Sequence, residues 1–167
     1  TYACIAYVIS IIYLILQGVG DGSQPLISYY YGEKNFKNLL DTRKLAYGFA
    51  IFLSLIGCAI MYFTKSNLGL LFGTSKEVNL EIAKIMPIFL ISVLFVAILR
   101  ITTASFYATE KSVFSYILTF IELLFMLILI IILPPIYDGQ IMIWWSTVLA
   151  RILSASLALV LKRRVDK

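Results

Sequence analysis

The stretch VFSYILTFIELLFMLILIIIL, residues 113–133, decides the fold. It holds one charge, Glu122, and otherwise carries only Ser115, Tyr116 and Thr119 as polar groups among continuous Ile, Leu and Phe. A helix of about 20 such residues, rising 1.5 Å per residue, matches a hydrocarbon core of about 30 Å. A membrane strand needs only about 9–11 residues and alternates in polarity, so this run predicts a transmembrane helix. Its flanks close it: Glu110-Lys111 makes a tight polar turn before it and Pro134-Pro135 stops it afterwards.

The same pattern repeats outward in both directions. Ile141 to Leu161 is a second continuous apolar run. Glu77 to Tyr107 is a third, with a kink expected at Pro87, because a mid-helix proline loses a hydrogen bond and crowds the preceding turn. Thr74 followed by Glu77 reads as a capping box at its start. Leu45 to Phe63 is a fourth. Tyr2 to Tyr31 is a fifth, interrupted by Gln17-Gly18-Val19-Gly20-Asp21-Gly22-Ser23-Gln24-Pro25. The chain is 61% hydrophobic with a mean hydropathy of +0.94, against roughly 45–50% apolar residues in a soluble domain. The expected fold class is therefore all-α integral membrane: an antiparallel transmembrane bundle of about five helices near residues 3–31, 38–64, 76–108, 112–133 and 140–162. Thr1 is not an initiator Met and no secretory leader opens the chain, so 1–167 reads as part of a longer protein.

Charge orients the bundle. Lys34, Lys37, Arg43 and Lys44 lie between the first two helices, Lys111 in the tight turn, and Lys162, Arg163, Arg164 and Lys167 in the tail. If the helices alternate, all of these share one side, and the other side holds only Lys65, Lys76 and Lys84. The positive-inside rule then makes the C-terminus cytoplasmic and puts Thr1 outside. Aromatic residues fit interfacial belts: Tyr29, Tyr30, Tyr31 and Tyr107 inside, Tyr62, Tyr137, Trp144 and Trp145 outside. The net charge of +5 is thus mostly topology, and the expected partner is the lipid bilayer rather than nucleic acid. Enzyme chemistry is poorly supported. There is no His, no Gly-x-Ser-x-Gly, CxxC or phosphate loop, and Ser23 has no base partner in sequence. Cys4 and Cys58 fall within apolar runs and suggest packing rather than a disulfide framework. No metal site and no cofactor are expected.

Asp21, Arg100, Glu122 and Arg151 are ionisable residues inside the runs. Arg100 lies about ten residues before the Glu110-Lys111 turn and Glu122 about eleven after it, so both sit about 15 Å deep, near the midplane. The next hairpin puts Arg151 level with Glu122, and Asp21 reaches a similar depth from Gly32. A lone charge there costs about 2.5–3.5 kcal/mol on insertion scales, and two acids with two bases sum to neutrality. A purely structural ion pair, a polar site lining a substrate or ion path, and charges facing another part of the protein are all open. Glu122 is expected to approach at least one guanidinium, since arginine stays charged and offers a bidentate fork. Gly18, Gly20, Gly22 and Pro25 predict a helix break, either as cavity lining or as close small-residue packing.

The segment GVGDGSQPLISYYYGEKN, residues 18–35, resembles the multidrug and toxic compound extrusion (MATE) family at a helix ending in a QPLISYxYGxxN pattern. Gly20, Gln24, Pro25, Ser28, Tyr29, Tyr31, Gly32 and Asn35 carry the match. LFGTSKEV, ASFYATEKSVFSYIL and IWWSTVLARILS are similar to later parts of the same family's C-terminal lobe. The resemblance implies helices eight to twelve of a twelve-helix, two-lobed antiporter, with the N-terminal lobe as partner. Such antiporters export cationic or amphipathic drugs and toxins in exchange for H⁺ or Na⁺ across the plasma membrane. It makes Gln24 a further path residue beside Asp21, Arg100, Glu122 and Arg151. Some members carry an acid in helix ten. Val96 aligns there, with Arg100 one turn on, which argues against Na⁺ coupling through this lobe. Alternatives are a lipid-linked saccharide flippase of the same superfamily and a non-transporting membrane assembly protein.

Overall fold

A computed structural model describes residues 2–137 and 139–165, and for Gln140 the backbone alone. Thr1, and with it the expected outer end, lies outside the described residues, as do Asp138, Asp166 and the tail cation Lys167. The order is α1 (Tyr2–Gly32), α2 (Phe36–Thr64), a single turn α3 (Leu68–Leu71), α4 (Lys76–Ala108), α5 (Ser112–Ile136) and α6 (Gln140–Val165). Five of these helices are long and apolar enough to span a membrane, and no strand occurs among the described residues. The chain is all-helical, as its apolar runs imply.

α4 is central and the most buried of the five. It packs against α1, α2, α5 and α6, while α5 and α6 form a hairpin beside it. Two apolar layers lie along it. Ile5, Val8, Ile9, Leu68, Ile82, Met86 and Phe89 close one end. Ile12, Leu16, Ala50, Val93, Val96 and Ala97 fill the middle. At the other end three basic segments converge. Lys111 Nζ donates to the Val165 carbonyl at 3.4 Å. Tyr31, Phe36, Arg43, Thr109, Lys111 and Val165 share the walls of one small hollow. The two turns there use the same device: Lys34 (φ 56°) and Glu110 (φ 59°) take the left-handed conformation. The next residue's N–H then reaches back five residues, Asn35 to Tyr30 and Lys111 to Phe106, both at 2.9 Å.

Three local expectations need correction. α1 is helical throughout Gly18–Pro25. One missing proline N–H is tolerated in a membrane helix when neighbours hold the segment, and here Gly20 rests on α4, where an added Cβ would lie 3.5 Å from the Arg100 carbonyl oxygen. α5 does not stop at Leu133 but runs through Pro134-Pro135 to Ile136, because the Leu133 carbonyl accepts from Tyr137 N at 3.2 Å and closes a further turn. The cap of α4 is Ser75, whose hydroxyl accepts from Val78 N. Thr74 instead donates to the Gly69 carbonyl at 3.0 Å. Trp144, expected at the outer end, is buried between helices there, stacked on Tyr2 at 5.2 Å and edge-on to Phe89 at 5.8 Å.

Candidate functional site

Glu122 on α5 stands between two arginines from neighbouring helices. Its Oε2 is 4.0 Å from Arg100 Nη2 on α4, and its Oε1 is 4.0 Å from Arg151 Nε on α6. Equal depth on adjacent antiparallel helices brings the three together. The carboxylate is the most enclosed of them, with 12% of its side chain exposed, against 16% for Arg151 and 33% for Arg100. Both separations exceed hydrogen-bond length, so the contacts are ion pairs without shared protons.

Arg151 is held from its other side. Its Nη1 donates to Ser92 Oγ at 3.3 Å, and its guanidinium carbon sits 4.8 Å from the centre of the Tyr13 ring. Ser92 Oγ also lies 3.0 Å from Tyr13 Oη and donates its one proton to the Phe89 carbonyl at 2.6 Å. Proton counting then makes Tyr13 the donor to Ser92. A chain of contacts therefore runs from α1 (Tyr13) through α4 (Ser92) and α6 (Arg151) to α5 (Glu122) and back to α4 (Arg100).

Arg100 opens on a polar cavity of about 280 Å³ between α1, α4 and α5. Asp21 and Gln24 from α1 share its walls with Thr103, Tyr107, Ser115 and Thr119. Gln17, one turn before Asp21, donates to Asp21 Oδ1 at 2.9 Å. Two helical turns thus put Gln17, Asp21 and Gln24 on one face of α1. The glycines of that segment serve other surfaces. Gly20 is buried against Arg100 and Ala104, whereas Gly18 and Gly22 line an apolar groove of about 580 Å³ on the α2 side, with Leu45 and Phe49. Pro25 is exposed. Val96 is buried among Ile12, Leu16 and Val93.

All five path candidates therefore fall into one assembly: Asp21, Gln24 and Arg100 around the cavity, Glu122 and Arg151 behind it. Sequence reasoning did not single out Tyr13, Ser92 or Gln17. Gln17 was findable, four residues before Asp21 on the same helix face. Tyr13 and Ser92 look like ordinary residues of apolar runs, and only the packing of α6 against α1 and α4 reveals them.

The protein-family model MatE matches residues 2–133, which takes in α1 to α4, α5 as far as Leu133, and Asp21, Gln24, Arg100 and Glu122. No curated protein and no solved structure matches the chain. With most of the chain matched and five membrane-capable helices, the chain belongs to the MatE family of membrane transporters, the multidrug and toxic compound extrusion family.

Proposed function

We propose that the full-length protein is a secondary active antiporter of the plasma membrane, exporting cationic or amphipathic drugs and toxins in exchange for H⁺ or Na⁺. The observation that carries this is the charged assembly of Glu122, Arg100 and Arg151 beside the polar cavity. Intramembrane charges are expensive and mark substrate or ion pathways. A site built at the interface of several helices suits alternating access, in which two lobes rock about it. Family membership supports transport.

Glu122 acts here as a switch. At rest it is shared by two arginines at 4.0 Å each. A substrate that displaces Arg100 leaves Glu122 to Arg151 alone, and the relative positions of α4, α5 and α6 change with that exchange. With Val96 in an apolar cluster, that position offers no carboxylate to a coupling ion, which argues against Na⁺ coupling through this lobe. Glu122→Gln in the full-length transporter should lower drug efflux from proteoliposomes at least tenfold while membrane expression is kept. Expression lost in Glu122→Gln and regained, with export, on paired removal of an arginine would make the charges structural and remove the switch.

A further inference from the structure

The cavity is not uniformly acidic, as a receptor for cations alone would be. Glu122 is one carboxylate between two guanidiniums, so the group Arg100–Glu122–Arg151 carries a formal charge of +1. Arg151 is already engaged by Ser92 and the Tyr13 ring. Arg100 is the more exposed of the two arginines, lines the cavity, and makes no hydrogen bond among the described residues. Its donors are therefore available on the cavity side. The same cavity is also lined by Asp21 of α1, which accepts from the Gln17 amide at 2.9 Å. The lining thus holds one base and one acid, together with Thr103, Ser115 and Thr119.

We propose that this cavity recognises an organic zwitterion, with a carboxylate or phosphate received by Arg100 and a protonated amine received by Asp21. A guanidinium fork matches either oxyanion in a bidentate way. A pure cation would meet Arg100 as a like charge, and a pure anion would meet Asp21 in the same way. The inference rests on the antiporter reading only for the direction in which the ligand is carried. A soluble zwitterion and a zwitterionic phospholipid headgroup share this chemistry, and the test separates them.

The probe is Nε-dansyl-lysine, a fluorescent amphipath with a free α-amine and α-carboxylate. It is compared with its methyl ester, a cation, and its Nα-acetyl derivative, an anion. Binding is measured to the full-length transporter in phosphatidylglycerol vesicles, which contain no zwitterionic headgroup. The zwitterion should bind about tenfold to a hundredfold more tightly than either derivative, the range expected for one charge-assisted hydrogen-bonded contact. Arg100→Gln should erase its advantage over the ester, and Asp21→Asn its advantage over the acetyl compound. Arg100→Lys should keep part of the advantage. Equal binding of zwitterion and ester by the wild type overturns the proposal, whether or not the variants fold. Loss of dansyl-lysine binding on adding phosphatidylethanolamine would identify the lipid headgroup as the ligand source, and no loss would identify the soluble compound. Gradient-driven efflux of the ester without zwitterion preference would leave the antiporter reading standing and this inference refuted. Zwitterion preference without gradient-driven movement of any probe would do the reverse.

Discussion

Ser92 is the smallest member of the central assembly and the one on which most contacts meet. Its buried hydroxyl accepts from Arg151 at 3.3 Å and stands 3.0 Å from Tyr13 Oη while donating to its own helix. Removing it strands a tyrosine hydroxyl and weakens the hold on a guanidinium, and an orphaned buried polar group costs about 1–3 kcal/mol. Ser92→Ala should lower the thermal midpoint of the detergent-solubilised transporter accordingly, whereas an unchanged midpoint would mean that water or lipid headgroups replace the hydroxyl. Asp21 differs from it in exposure and in kind. It lines the cavity and accepts from Gln17 at 2.9 Å, so its loss should affect ligand handling more than folding. Asp21→Asn is expected to reduce export several-fold with normal membrane insertion, and full resistance in a drug-challenge assay would take Asp21 out of the site.

At the scale of helices, much of the architecture could be read from the chain, because run length is set by bilayer thickness and little else. Observed bounds such as Phe36–Thr64 and Lys76–Ala108 lie within a few residues of those expected. That Arg100, Glu122 and Arg151 share one level of the bundle followed from counting residues out of two tight turns. What could not be read was how neighbours compensate local defects. Pro25 and its glycines look like a break in isolation, yet Gly20 is the flat surface on which α1 meets α4. The loop between α2 and α4 was equally opaque. There Asn79 of α4 accepts from Gly69 N at 2.8 Å and donates to the Ser66 carbonyl, tying α3 down. A methyl group on Gly69 would collide with Asn79 Oδ1 and with Thr74 Oγ1. Gly69→Ala should therefore cost about 1–3 kcal/mol as an overpacking change, and it should speed proteolysis in the loop at residues 65–75. A wild-type cleavage rate would show that the loop relaxes without penalty.

Taken whole, the molecule has one basic end and one nearly neutral end, and this asymmetry makes its orientation testable. The turn carrying Lys34, the turn carrying Lys111 and the last turn of α6 with Lys162, Arg163 and Arg164 meet at the same end, as the Lys111–Val165 contact and the hollow shared by Tyr31, Arg43 and Lys111 require. The opposite end, where Tyr2, Phe89 and Trp144 pack together, has only Lys65, Lys76 and Lys84. Basic residues close to helix ends resist translocation, and the bias acts mostly through short loops such as these. The basic end should accordingly face the cytoplasm, with the C-terminus of α6 inside. Single cysteines placed in the full-length transporter at Ser66 and Gly139 should react with a membrane-impermeant maleimide in intact cells. Cysteines at Asn38 and Arg164 should react only after permeabilisation, and so should Asp166, which lies just beyond the described residues. Native Cys4 and Cys58 are free thiols within α1 and α2 and are replaced by Ala first to remove background. Labelling of Asn38 from outside, with Ser66 protected, would invert the bundle and turn its basic end away from the cytoplasm.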